Sequence, residues 1–170
     1  MRRGSRLRLG LALMIAASLL SVAANNVLAQ GKSASKQEMK QLNKEANKLA
    51  NKADEAADQL GRKVVFCILA AHTTGVGTAQ ELKDKFDALT DFPFGQFVAA
   101  VLLVDRLDKE GFGLDDVIAK LVAGMSIGQI TKEADVNMGE VRSHLGQFRS
   151  ELARSMTNPP TKDCFKSSTP

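Results

Sequence analysis

Between Leu121 and Leu145 the chain reads LVAGMSIGQITKEADVNMGEVRSHL. Its apolar residues keep helical spacing on both sides of a short break at Asp135 to Asn137. Ile127, Ile130 and Ala134 mark one face of a first short helix, Val141, Leu145 and Phe148 mark a second, and Val136 sits in the turn between them. Ser126 with Gln129, and Asn137 with Glu140, have the spacing of helix N-caps and their reciprocating partners. The pattern is a helix-turn-helix, and short amphipathic helices of this kind need other helices to cover their apolar stripes. The rest of the chain has few β-branched runs, which favours an all-α fold. We expect a long N-terminal helix followed by a compact helical bundle that ends in this hairpin.

Gly124-x-Ser126-x-x-x-Ile130, followed by Val136-Asn137-x-x-x-Val141-x-x-His144-Leu145, resembles the helix-turn-helix of LuxR-type regulators and sigma factors over residues 121–149. The resemblance implies that Met138, Gly139, Glu140, Arg142 and Ser143 lie on the DNA-facing side of a recognition helix. The sequence departs from that family at Thr131, where a small Ala is usual, and at Gly139 and Glu140, where a Lys-Thr or similar pair meets DNA. A carboxylate at that place faces phosphates and weakens binding. The segment Gly124-Met125-Ser126-x-Gly128-x-Ile130 also resembles helical hairpins of exported all-α bacterial proteins of unassigned activity. That second resemblance implies no chemistry.

The N-terminus bears on compartment. Arg2, Arg3, Arg6 and Arg8 precede an uncharged apolar run from Leu9 to Ala24, and Val27-Leu28-Ala29 follows as a small-residue cleavage site. This is the order of a secretory signal peptide, residues 1–29, with cleavage before Gln30. The alternative is an uncleaved anchor, although the run is short for a membrane span. The chain has 23 basic and 19 acidic residues. Four of the basic ones lie in residues 1–29, which hold no acid, so the mature chain is neutral. A nucleic-acid reader normally carries a basic footprint, so the neutral mature chain weighs against DNA as a partner. Trp and Tyr are absent and eight Phe carry the aromatic bulk, which provides poorly for stacking on sugars.

Residues 30–35 read as a disordered linker. From residue 36 to 60 a helix places Met39, Leu42, Ala46, Leu49, Ala53, Ala56 and Leu60 on a heptad seam. We expect the seam, chiefly Met39, Leu42, Leu49 and Leu60, to meet a protein partner or a second copy. Lys32, Lys36, Lys40, Lys44, Lys48 and Lys52 wind around the same helix, allowing weak contact with an anionic envelope surface. Gly61 ends the helix and opens a domain over residues 62–156. In it, Lys63 to His72 reads as a core helix, Gln80 to Leu89 as an amphipathic one, and Phe97 to Leu107 as the apolar centre of the bundle. Gly75-x-Gly77 lacks the third glycine of a dinucleotide fingerprint, and Arg106 and Val117 stand where a calcium loop over Asp105 to Asp116 needs oxygen ligands. Phe94-Gly95-Gln96-Phe97 is echoed by Ile127-Gly128-Gln129-Ile130, and Leu114-Asp115-Asp116-Val117-x-x-x-Leu121 by Met138-Gly139-Glu140-Val141-x-x-x-Leu145. Two related helical hairpins are one reading of this echo, and chance is the other. Residues 157–170 read as a disordered tail.

Cys67 and Cys164 form a disulfide if the chain is exported, or Cys67 is a plain buried thiol. Cys67, His72 and Cys164 are too few and too widely spaced for structural zinc. His144 reads as a surface residue. No Ser-His-Asp, HExxH or P-loop pattern occurs. No catalytic, cofactor or metal residues are therefore expected. The sequence reading is an exported, non-enzymatic structural or interaction protein of the bacterial cell envelope, periplasmic or extracellular. Its alternative is a helix-turn-helix DNA-binding regulator with an N-terminal membrane anchor.

Overall fold

The computed structural model describes residues 36–107, 112–160 and 164–166, all helices and connections with no strand among them. The signal-like segment 1–29 and the linker 30–35 lie outside the described residues. The helices are α1 (36–60), α2 (Arg62–His72), α3 (Ala79–Asp87), α4 (Phe94–Val104), α5 (Leu114–Val122), α6 (Ile127–Glu133) and α7 (Met138–Thr157), followed by a 3-10 turn at Cys164–Lys166. The expected all-α architecture, with a long first helix and a bundle behind it, is the one observed. Residues Glu38–Pro170 form one compact unit. From Glu38 onward α1 therefore belongs with the helices that follow it.

The bundle is built around α4. Every residue of FGQFVAAVLLV is buried except Gln96 and Val104, as a helix apolar on all sides requires. At its start, Phe94 and Phe97 meet Phe66 of α2 and Phe86 of α3, with ring centroids 5.2–6.2 Å apart and mostly edge-on. The Arg62 guanidinium lies 5.3 Å from the Phe86 ring centre and 5.5 Å from that of Phe94. α7 contributes Val141, Leu145, Phe148 and Leu152 from one face and leaves the other to solvent.

α1 lies across both hairpins, α4–α5 and α6–α7. Leu42, Ala46, Leu49, Ala53 and Ala56 are buried in the core and Met39 and Leu60 are half-buried, so the seam expected to meet a partner is covered by the chain's own helices. The small residues along it let helices approach closely. A methyl group on Gly95 of α4 would fall 2.2 Å from the Ala50 carbonyl oxygen, and one on Gly128 of α6 would fall 2.6 Å from Met39 Cγ. At each contact a side chain of α1 binds the glycine's backbone amide. Gly95 N–H donates to Asp54 Oδ1 at 2.9 Å, and Gly128 N–H donates to Asn43 Oδ1 at 2.7 Å. These amides are free for this purpose because the first turn of a helix has no internal acceptors. Asn43 and Asp54 stand about three turns apart on one side of α1. The two glycines are the matching residues of the sequence echo, so the echo corresponds to a repeated docking contact.

Candidate functional site

The helix-turn-helix is formed by α6 and α7. Ser126 accepts from Gln129 N–H while the Gln129 side chain binds Ser126 N–H, and Asn137 Oδ1 accepts from Gly139 N–H at 2.8 Å and Glu140 N–H at 3.3 Å. Asp135 takes the left-handed backbone of the turn, with φ 57°. Thr131, the departure from the small Ala, is buried and donates its hydroxyl to Ile127 O at 2.8 Å, which satisfies it locally. Gly139, Glu140, Arg142 and Ser143 are exposed and Met138 is half-buried. Arg142 is engaged by Gln41 of α1, its guanidinium donating to Gln41 Oε1.

The same turn occurs a second time. Before α4, Asp91 has φ 57°, Phe92 is half-buried and Pro93 stands at the N-cap position without a capping bond; before α7, Asp135 has φ 57°, Val136 is half-buried and Asn137 stands at the N-cap and does bond the first turn. α3 opens on a Thr78–Glu81 capping box as α6 opens on Ser126–Gln129. The first copy leads into the most buried helix of the unit. The shape is therefore a packing device at least once.

Cys67 on α2 is disulfide-bonded to Cys164, with Cα atoms 5.7 Å apart and 97 residues between them in sequence. In the chain-entropy model a loop of this length contributes about 4–5 kcal/mol. Phe165 packs half-buried beside it, and Lys63 Nζ lies 5.9 Å from its ring centre. The tail expected to be disordered over 157–170 is thus tied to α2 at 164–166, while Thr157 is still the last residue of α7.

A cluster of polar side chains lies where the ends of α2 and α4 meet α7. His144, expected at the surface, is 3% exposed. The helical period turns it inward beside Val141, Leu145 and Phe148. Arg106 Nη2 donates to His144 Nδ1 at 2.9 Å, which leaves the imidazole proton on Nε2. That nitrogen stands 3.2 Å from Asp105 Oδ2, within ion-pair range but without the alignment of a hydrogen bond. Asp105 Oδ1 accepts from Thr74 N–H at 2.6 Å, so the acidic residue once weighed as part of a calcium loop binds the α2–α3 connection. His72 stacks on His144 with ring centroids 4.9 Å apart, and its Nδ1 donates to Glu151 Oε2 at 2.7 Å. Burial first, and then the Arg106 charge and the neighbouring His72 ring, push the His144 pKa down to about 4, against an opposing pull from Asp105. The sequence signal that was available is the pairing of a buried helical face with a lone histidine, which periodicity alone leaves ambiguous.

A cleft of about 430 Å³ runs along α1 between the two docked helices, lined by Asn43, Asn47, Gln96 and Ser126 over Ala46 and Ala50. Asn43 is fully engaged there, donating to Ser126 Oγ at 3.2 Å as well as binding Gly128. Among the described residues, no group of three or more His, Cys, Asp or Glu side chains could hold a metal ion.

What these features define together is an all-α unit with a repeated hairpin docked on one strap helix and stapled by a disulfide. No family model matches the chain, and neither a curated protein nor a solved structure matches it.

Proposed function

We propose that the chain is an exported protein of the bacterial envelope, periplasmic or extracellular, working as a structural or interaction module and not as a catalyst. The observation that carries this reading is the Cys67–Cys164 disulfide. Such bonds form and persist in oxidising compartments, in keeping with the signal-like order of residues 1–29. The polar cluster at the ends of α2 and α4 bonds within the chain, Asp105 to Thr74, Arg106 to His144 and His72 to Glu151. A partner meeting α1 would meet its exposed residues, among them Lys40, Lys44 and Asn51, because the apolar stripe is inside. These lysines suit a weakly anionic surface. Fractionation of expressing cells followed by mass spectrometry tests the proposal. The expected product starts at Gln30, lies outside the cytoplasm and is lighter than its reduced form by two hydrogens. An intact Met1 in the cytosol with two free thiols would overturn it.

One observation favours the DNA-binding alternative: Gly139, Glu140 and Ser143 are exposed on the first turns of α7. Glu140 and the tether of Arg142 to Gln41 weigh against it. No helix among the described residues is long and apolar enough to cross a membrane, and the apolar run Leu9 to Ala24 lies outside them.

A further inference from the structure

His72 and His144 lie ring on ring, their planes 29° apart, at the junction of three helices. The charged groups facing the pair are Asp105 and Arg106 from the end of α4 and Glu151 from α7. α2 contributes His72 itself, and the Thr74 amide just beyond it is held by Asp105. We infer that this stack is an acid-sensitive latch, closed while His144 is neutral and opened by its protonation, which releases the α2–α3 connection, residues 73–78, from α4.

The chemistry of the contact sets the direction. Neutral His144 accepts from Arg106 at Nδ1. A proton added there turns the acceptor into a donor, so the Arg106 bond must break. An imidazolium is then left facing a guanidinium and stacked on His72, with Asp105 the acidic group beside it. Asp105 binds the Thr74 amide through Oδ1, while its Oδ2, 3.2 Å from His144 Nε2, is not aligned for a hydrogen bond to the ring. The smallest rearrangement lets the Arg106 side chain, 46% exposed, move into water while the Asp105 carboxylate rotates to bring Oδ2 into line with the imidazolium N–H, which draws Oδ1 off the Thr74 amide. The response is local because other ties lie elsewhere. The far end of α4 is held on α1 at Gly95, and α2 is held to Cys164 by the disulfide.

In the closed state the His144 pKa is near 4, and on opening it returns towards the ordinary 6.5. A group depressed in the closed state leaves that state fully favoured above pH 6.5 and progressively less so as pH falls towards 4. Between pH 7 and 4.5 the opening equilibrium should rise roughly 50-fold.

Amide hydrogen exchange on the full disulfide-bonded chain, corrected for intrinsic rates, tests this against the His144→Phe variant, which keeps a ring in place but cannot titrate. The Thr74 amide, which Asp105 holds across to α4, should lose protection by about that factor in the wild type and much less in the variant, while Gly95 and Gly128 stay protected in both. Equal acid responses in the two proteins, or a loss of protection spread evenly over all helices, would overturn the latch. If His144→Phe does not fold, Arg106→Gln serves in its place. Removing the guanidinium should raise the NMR titration midpoint of His144 and move opening to higher pH, and an unmoved midpoint would overturn the proposal.

Discussion

The hairpins α4–α5 and α6–α7 begin alike and end differently. Each opens on an apolar-Gly-Gln-apolar segment, each sets its glycine against α1, and each has that glycine's amide bound by a side chain of α1. α4 then continues as an almost wholly buried helix of 11 residues, whereas α6 stops after 7 and hands over to the one-sided α7. The acceptor on α1 differs too: a carboxylate, Asp54, at the central hairpin and an amide, Asn43, at the outer one. A negative charge suits the positive end of a helix better than an amide does. One docking contact thus serves two ends. At α4 it anchors the centre of the core, and at α6 it holds a hairpin that keeps a free outer surface and buries a histidine beneath it.

The largest effect should come from the strap that both hairpins share. Changing Leu42 and Leu49 together to Ser removes two fully buried side chains, each costing about 3–5 kcal/mol. The expected outcome is loss of the cooperative thermal transition. A protein that still melts normally but dissociates in light scattering would show that the seam serves a partner. Next come the glycines. Gly95→Ala places a methyl group against backbone that cannot move aside, and should cost about 3 kcal/mol or more. Gly128→Ala meets Met39 Cγ at 2.6 Å, Asn43 Oδ1 at 2.9 Å and the Met39 carbonyl at 3.0 Å, of which the two side chains can give, and should cost less, about 1–2 kcal/mol. Denaturation midpoints give the order, and equal costs would erase the distinction between the contacts. The acceptors should separate less. Asp54→Ala is expected to cost about 1–2 kcal/mol and Asn43→Ala about 1 kcal/mol, with only the Asp54 effect shrinking in high salt. Smallest of all is the response to DNA. A duplex titrated at physiological salt should leave the anisotropy of the chain's complex-free state unchanged, whereas site-specific binding at or below about 10⁻⁸ M would make the outer hairpin a reader.

The helices themselves were legible because their causes are local. Heptad spacing marked α1 over residues 36–60, capping residues marked Ser126 and Asn137, and the apolar run Phe97 to Leu107 marked the middle of the bundle, beginning three residues past the observed start of α4 at Phe94. Gly61 broke α1 from α2 as expected, with φ 86°. His144 was misplaced because its neighbours in space, Arg106, Asp105 and His72, come from two other helices. The direction of the seam was missed for a related reason: an a/d stripe has the same spacing whether it faces a partner or its own domain.

Sequence alone determined the parts: that the chain is helical, where the capped helices at Ser126 and Asn137 start, and which stripe is apolar. These follow from backbone propensity, capping and period, which act over four or five residues. Tertiary structure alone decided what the stripes and polar groups meet. It turned the seam inward, joined Cys67 to Cys164, set Asp54 and Asn43 on the two glycine amides, and brought the histidines together. Each of those contacts depends on distances between residues far apart in the chain, and packing many helices into one closed core settles such distances only when all of them are in place.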